Sequence, residues 1–407
     1  MKVIYIHQYF RTPQEGGAVR SYHLAKGLVK AGIEVEMITA GNQNNYDQKW
    51  IDGIKVHYLP IPYDQKFNFF RRVKAFLDFS AQAKKLLKKL ARPDLLYITS
   101  TPLTTGWIGL WAKRKMAIPY IFEVRDLWPQ APIEVGAIRN KFLIHYLQKL
   151  EAKIYRNALS LVALSPGIAS HLRKTSPNSN LHLVPNFSDL QTFYPQKKDP
   201  KVLQKYNLSS ELTIAYTGAL GKVNAVIELL ELANLAQEKD KIWQFLVMGK
   251  GSAERELKKY AKENELKNLK FIEFGSKKLV NEVLSVSDFA WISFAHLPVL
   301  KTNSPNKFFD AIAAGKAILV NHKGWVYNLT KEYDLGIPFL PEKLVIGFKQ
   351  LEQLENNPEK LLQMKQNSRK LAERYFSKEM AVNRVLRVLD PDKFPANSGD
   401  EVYILTA

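Results

Sequence analysis

The stretch TNSPNKFFDAIAAGKAILVN places Asn306, Lys307 and Asp310 on the opening turns of a segment whose small-residue pattern predicts a helix. Ser304 is positioned to cap that helix and Pro305 to fill its first turn. A cation and free N–H groups at a helix N-terminus suit a diphosphate, and an acid one turn further on can hold ribose hydroxyls. A capped core helix with solvated Lys and Asp would read the same way. Upstream, YTGALGKVNA sets Gly218 and Gly221 around a turn, with Lys222 where a cation could reach phosphate. One strand later, VMGKGSAERELKKY flanks Lys250 with Gly249 and Gly251. Two glycine-bearing strand ends close together in the chain fit a flat ligand lying across a sheet edge. Near the N-terminus, Gly16 and Gly17 precede a predicted helix with Arg20 one turn in, so backbone N–H groups there could approach an oxyanion. The spacing is not the G-x-G-x-x-G fingerprint, which counts against a dinucleotide dehydrogenase.

A further constellation, Glu123-Val-Arg-Asp-Leu-Trp-Pro129, ends a predicted strand. Asp126 is the leading polar group for an acceptor hydroxyl or a donor sugar. Arg125 could contact a phosphate, and Glu134 is a weaker neighbour. The alternative has Glu123 or Asp126 capping a turn and paired with Arg125, with Trp128 in the core. No D-x-D clusters with suitable ligands, the eight histidines are scattered and cysteine is absent, so no metal site is expected.

These groups need a scaffold. Short apolar runs alternate with amphipathic stretches from the first residue on, which predicts doubly wound, mainly parallel sheets with any ligand at the strands' C-terminal ends. After Pro185-Asn186 the pattern falters into polar, Pro-containing sequence and then resumes. The expected division is an acceptor domain at 1–186, a linker at 187–200 and a donor domain at 201–377. A last helix in 378–407 would cross back to the first domain. The result is two α/β domains facing each other across a cleft, consistent with 407 residues at ~150 per domain.

Composition is that of an ordinary globular protein, with 46% hydrophobic and 24% charged residues. No apolar run is long enough to span a bilayer, and MKVIYIHQYFRTP reads as a first strand, not a signal peptide, so a cytoplasmic location is expected. The formal charge of +20 calls for a polyanionic partner. Between Lys66 and Arg92 nine basic residues face one acid, and Phe67, Phe69, Phe70, Phe76 and Phe79 lie among them. That composition suits an interfacial helix on anionic lipid, and equally a surface helix whose apolar stripe packs inward. Nucleic acid is the weakest partner, since no recognised module or stacking array is present.

As an ordered set, IYIHQYF…GGAVRSYHLAKGL, FEVRDLWPQAPIEVGAI, YTGALGKVNA and SPNKFFDAIAAGKAILVN resembles the retaining GT-B glycosyltransferases of family 4. The subgroup it looks most like is the WbuB-type, N-acetyl-fucosaminyl transferase-like enzymes of bacterial surface polysaccharides, over nearly the whole chain to about Leu389. The resemblance implies the GT-B fold, two Rossmann-like domains across a cleft. It implies transfer of an N-acetylated hexose or deoxyhexose, with retention, from a UDP-linked donor to a lipid-linked saccharide in polysaccharide or O-antigen synthesis. The enzyme would sit peripherally on the inner face of the cytoplasmic membrane, without cofactor or metal. Asp310 would then bind ribose, Lys222 and Lys307 the diphosphate, and Gly16 and Gly17 the donor phosphate and sugar. The loop carrying Ser276 would meet the base through its backbone. Of the family's usual E-x7-E pair, the second position is Asp310 and the first is Thr302. A nucleotide-sugar 2-epimerase of the same fold is one alternative. A catalytically degenerate sugar-nucleotide-binding subunit, prompted by Thr302, is another.

Overall fold

Runs of Ile, Val, Leu and Tyr that are apolar on both faces belong in parallel strands covered by helices on either side. The computed structural model, which describes residues 1–63, 67 and 69–395, builds two such sheets. The first contains β1 (Lys2–Ile6), β2 (Glu34–Gly41), β3 (Asp47–Ile51), β4 (Ile54–Pro60), β5 (Leu95–Thr99), β6 (Tyr120–Val124), β7 (Ser160–Ala163) and β8 (Leu181–Leu183). Its order is β3-β4-β2-β1-β5-β6-β7-β8, parallel except where β3 folds back on β4. The second contains β9 (Thr213–Thr217), β10 (Gln244–Met248), β11 (Leu269–Ile272), β12 (Phe289–Ile292), β13 (Ala317–Val320) and β14 (Gly336–Pro338). Its order is β11-β10-β9-β12-β13-β14, parallel throughout. Both are Rossmann-like. In each the strand order reverses beside the first strand, between β1 and β5 and between β9 and β12, which opens a crevice at the carboxyl ends there.

Helix Phe69–Leu87 shows how the scaffold is held. Ala75, Phe79, Ala83 and Leu87 repeat at helical spacing and are buried in the first domain's core with Ile4, Ile98 and Phe122. On the opposite face of that sheet, helix Arg20–Lys30 contributes Leu24, Ala25 and Leu28. The last helix, Lys378–Leu389, joins the same cluster through Ala381, Val385 and Leu386, so it completes the first domain's core. The chain thus passes between the domains twice. The two passages touch, with Ser188 N–H donating to the Phe376 carbonyl at 2.7 Å and Ser188 bridging Ser377.

The cleft is closed at its base by polar contacts between the domains. Ser165 Oγ donates to the Thr302 carbonyl (2.5 Å), Val299 N–H donates to Glu134 Oε2 (2.7 Å), and Asn186 Nδ2 donates to the Ser304 carbonyl (2.5 Å). Glu134 is therefore an interdomain clasp, with Gln130 donating to its other oxygen.

Candidate functional site

The opening stretch forms helix Asn306–Ala313, but the cap differs from the sequence expectation. Pro305 occupies the N-cap position, and the Ser304 hydroxyl turns away to accept from Asn186 N–H (3.3 Å). No side chain caps the helix; Phe308 N–H donates to the Pro305 carbonyl (3.0 Å), and the Asn306 and Lys307 N–H groups remain available to a ligand. Lys307, half-buried on that turn, reaches back to the crevice between β9 and β12. Its Nζ donates to Tyr216 Oη (3.2 Å), the Ser293 carbonyl (3.1 Å) and Asn224 Oδ1 (3.5 Å). It also lies 4.4 Å from the ring centres of both Tyr216 and Phe294. Burial pushes its pKa down to about 7, and no carboxylate pairs with it among the described residues.

Asp310, one turn on, is buried. Lys277 Nζ meets its Oδ2 at 2.5 Å. Desolvation raises the Asp310 pKa, and Lys277 opposes that rise. Both residues line a small hollow with Asn306, Arg20, His23 and Asp189, where the two domains meet. Lys277 was not singled out in the sequence. A signal was present, because a cation in the first turn of helix Lys277–Ser285 opposes the helix dipole and so calls for an anion nearby.

The glycines divide into two roles. Gly16 and Gly17 take positive φ angles of 68° and 84°, so this loop depends on glycine. A Cβ on Gly16 would sit 3.0 Å from the Gly275 carbonyl, so the loop presses on the turn before Ser276 in the other domain. Ser276 caps its own helix, accepting from Leu279 N–H at 3.4 Å, and so offers a ligand its loop backbone. Gly249 is a packing residue, since a Cβ there would lie 1.9 Å from the Gly218 carbonyl. Gly218 N–H donates to the Met248 carbonyl, holding the two strand ends together. Lys222 stands exposed on the short turn Lys222–Asn224 beside them, without an ion pair among the described residues.

Across the cleft, Asp126 follows β6. It is reached by solvent, yet enough protein surrounds it that desolvation raises its pKa against the influence of Arg125 and Thr101. Thr101 Oγ1 donates to its Oδ2 at 3.3 Å. Arg125 is anchored by its backbone N–H on Ser100 Oγ (2.9 Å) and by Nη1 on His7 Nε2 (3.2 Å). His7 is buried, and that burial, with Arg125 adding to it, keeps the ring neutral well below its usual pKa. Its Nε2 accepts from Arg125, so the ring proton is on Nδ1 and points to Ser21 Oγ (2.9 Å). His7 is a positioning group missed in the sequence, although it stands at the end of β1 beside the strand-order reversal.

Two families fit this architecture in chain order. Residues 15–186 match the glycosyl transferase 4-like domain, and residues 198–371 match glycosyl transferases group 1. Together they take in most of the chain. It is a GT-B glycosyltransferase.

Solved structures agree on the fold. The enzyme superposes on sucrose-phosphate synthase from Thermosynechococcus elongatus with a TM-score of 0.76 at 16% identity, over 95% of this chain and 98% of that one. WaaG, a glycosyltransferase involved in lipopolysaccharide biosynthesis, gives 0.69 at 14% identity, over 96% and 100%. Anabaena HepE in complex with UDP gives 0.68 at 13%, over 96% and 99%. No curated protein sequence matches.

Arg20 is the clearest correction to the sequence reading, which grouped it with Gly16 and Gly17 as donor-binding. In the glycosyltransferase it lies at the edge of the hollow, but four of its five guanidinium N–H donors are taken within the first domain. Nε and Nη2 donate to Glu123 Oε2 (3.1 and 2.9 Å), Nη1 to the Pro185 carbonyl (2.5 Å) and Nη2 to the Val184 carbonyl (2.8 Å). Glu123, also bonded by Tyr97 Oη (2.8 Å), is fully buried; burial raises its pKa, but Arg20 outweighs it and holds the pKa below the ordinary value. The pair locks helix Arg20–Lys30 to β6 and the chain leaving β8, which is a structural role. Thr302 is likewise turned inward, its hydroxyl donating to the Val299 carbonyl (2.7 Å). Among the described residues, no group of three or more His, Asp and Glu side chains converges on a metal-sized site.

Proposed function

We propose that this glycosyltransferase takes a sugar from a UDP-linked donor and passes it, with retention of configuration, to a lipid-linked saccharide at the inner face of the cytoplasmic membrane. The N-acetylated hexose or deoxyhexose and the WbuB-type specificity belong to this reading through the sequence resemblance. The observation that carries it is Lys307, an ammonium without a carboxylate partner among the described residues, at an uncapped helix start beside a strand-order reversal. Such a cation lacks a counter-ion until a ligand supplies one, and a diphosphate does so.

Breaking the bond between the anomeric carbon and the diphosphate leaves negative charge on the diphosphate and positive charge on the sugar. Lys307, the first-turn N–H groups and Lys222 stabilise the former, so transfer is expected to run without a metal. Asp310, poised by Lys277, is placed for the ribose hydroxyls. The acceptor oxygen bonds to the anomeric carbon on the face the diphosphate leaves. Its proton passes to a diphosphate oxygen or to Asp126, whose raised pKa suits it to hold a proton for part of the reaction. HepE, seen with UDP and with UDP-glucose, supports this donor class.

Exposed apolar side chains support the membrane-surface reading. Helix Phe69–Leu87 leaves Phe70 81% exposed and Leu77 exposed, among Arg71, Lys74 and Lys85. Lys66, at the start of the basic segment, lies outside the described residues. Phe76 and Phe79 pack inward, as the packing alternative expects. The start of helix Lys141–Asn157 adds Phe142, 88% exposed, with Leu143 and Tyr146 beside Arg139, Lys141 and Lys149. Among the described residues no helix is long and apolar enough to cross a bilayer.

The test is to incubate the enzyme, with EDTA present, with UDP-sugars and detergent-dispersed lipid-linked acceptors, and to assign the new linkage by NMR. An α-linked donor giving an α-linked product without metal supports the reading. An inverted product, or strict dependence on a divalent ion, refutes those parts of it.

A further inference from the structure

A cavity of about 250 Å³ opens beside the ends of β12 and β13, with His296, Lys301, His322, Lys323 and Glu342 on its lining. It has room for one monosaccharide ring. It is one ring away from Lys307. Phe294 lies 4.4 Å from Lys307 Nζ, and its ring centre is 5.2 Å from that of His322.

The hydrogen bonds behind that wall fix what it offers. Phe294 N–H donates to Asn321 Oδ1 (2.9 Å), while Asn321 Nδ2 donates to the Phe294 carbonyl (3.1 Å) and to Glu228 Oε2 (2.7 Å). The amide can therefore point only one way, with its oxygen 3.1 Å from His322 Nδ1. That oxygen accepts, so Nδ1 carries the ring proton and Nε2 is left as a bare acceptor. His322 is 4% exposed; burial, with Lys307 adding to it, pushes its pKa down to about 3 and keeps the ring neutral. Its Nε2 has no hydrogen-bond partner among the described residues. An imidazole acceptor on a cavity wall can take a hydroxyl donor from an occupant.

Charge supplies the second requirement. Lys301 and Lys323 are exposed to the cavity and form no ion pair among the described residues. Their loops are packed together, since a Cβ on Gly324 would lie 2.4 Å from the Lys301 carbonyl. The carboxylate of Glu228 is engaged by Asn321 and by His296 (3.1 Å), which leaves exposed Glu342 as the one acid on the lining.

We propose that this cavity receives the sugar of the donor and that this sugar bears a carboxylate. A hydroxyl of the sugar donates to His322 Nε2, and its carboxylate lies between Lys301 and Lys323. The sugar is then a uronic acid, whether or not it also carries an N-acetyl group. The inference rests on the nucleotide-sugar reading above and sets aside its deoxyhexose and WbuB-type parts, because a C6 carboxylate and a 6-deoxy carbon exclude each other.

Calorimetric titration of the enzyme with UDP, UDP-glucose, UDP-glucuronate and UDP-galacturonate tests it. At least one uronate is expected to bind about tenfold more tightly than UDP-glucose, the scale of a charge-assisted hydrogen bond. The Lys301→Gln/Lys323→Gln variant is expected to lose that preference while UDP alone binds both proteins alike. If UDP binds and neither uronate exceeds UDP-glucose, the carboxylate inference is overturned and the nucleotide-sugar reading stands. If UDP itself fails to bind a folded sample, both fall.

Discussion

Lys307 ties donor binding to pH, and the size of the effect can be worked out. Its pKa in the free enzyme is about 7, lowered by burial. A diphosphate binds the charged form, so below about pH 6 the lysine is already protonated and binding takes up no proton. At pH 7 about half the molecules must gain one. At pH 8 about nine in ten must do so, and each further unit costs about tenfold in affinity. Between pH 6 and pH 8 the association constant for UDP-glucose should therefore fall about tenfold. The probe matters, because a diphosphate esterified at both ends has no proton of its own to lose in this range. The neighbours are silent there as well: His322 titrates near 3, burial raises Tyr216, and Asn224 and the Ser293 carbonyl do not titrate. Calorimetry in buffers of different ionisation enthalpy counts the proton directly. Lys307→Met should weaken binding by one to two orders of magnitude, the scale of lost charge-assisted hydrogen bonds, and flatten the pH profile. A wild-type constant unchanged between pH 6 and 8, with heats independent of buffer, would refute the argument.

Three further outcomes follow from other parts of the molecule. Arg20→Ala leaves Glu123 buried without its cation and should cost about 3–5 kcal/mol in urea unfolding; a loss under 1 kcal/mol would show that the pair is not a lock. Asp126→Asn should reduce transfer about a hundredfold while UDP-glucose affinity holds, and an equal loss of both would end its assignment to the acceptor side. Phe142→Ser/Tyr146→Ser should reduce co-sedimentation with phosphatidylglycerol vesicles and leave the unfolding temperature unchanged. Undiminished binding would remove the start of helix Lys141–Asn157 from the membrane surface.

The sequence carried the architecture because its signals were local. Apolar runs such as VIYI and LLYIT announce strands, and the polar stretch after Pro185 announces a break. Lys307 and Asp310 were legible for the same reason, as both lie within two turns of one helix start. What was missed depends on contacts distant in the chain. Arg20 follows two glycines and reads with them as donor-binding, but its partner Glu123 is 103 residues away. Lys277 finds Asp310 33 residues on, and His7 finds Arg125 118 residues on. The Ser304 cap failed because Asn186, in the other domain, competes for its hydroxyl. The hairpin of β3 and β4 was within reach, since Asp52-Gly53 is a hairpin turn signal, but the exposed, polar β3 has too little apolar pattern to draw notice.

The last helix has a consequence for how the protein is made. Ala381, Val385 and Leu386 complete a core whose other members, such as Val3, Leu24 and Val35, belong to the start of the chain. As the polypeptide leaves the ribosome, the N-terminal domain emerges first and must wait with one face of its sheet incompletely covered. The second domain draws its last core residues from Leu371, Ala372, Tyr375 and Phe376, so it has its full complement of parts just before that helix. The domain synthesised first is thus the one finished last, and a chain that stops before Lys378 has not been shortened at a tail but left with an open seam in its N-terminal half.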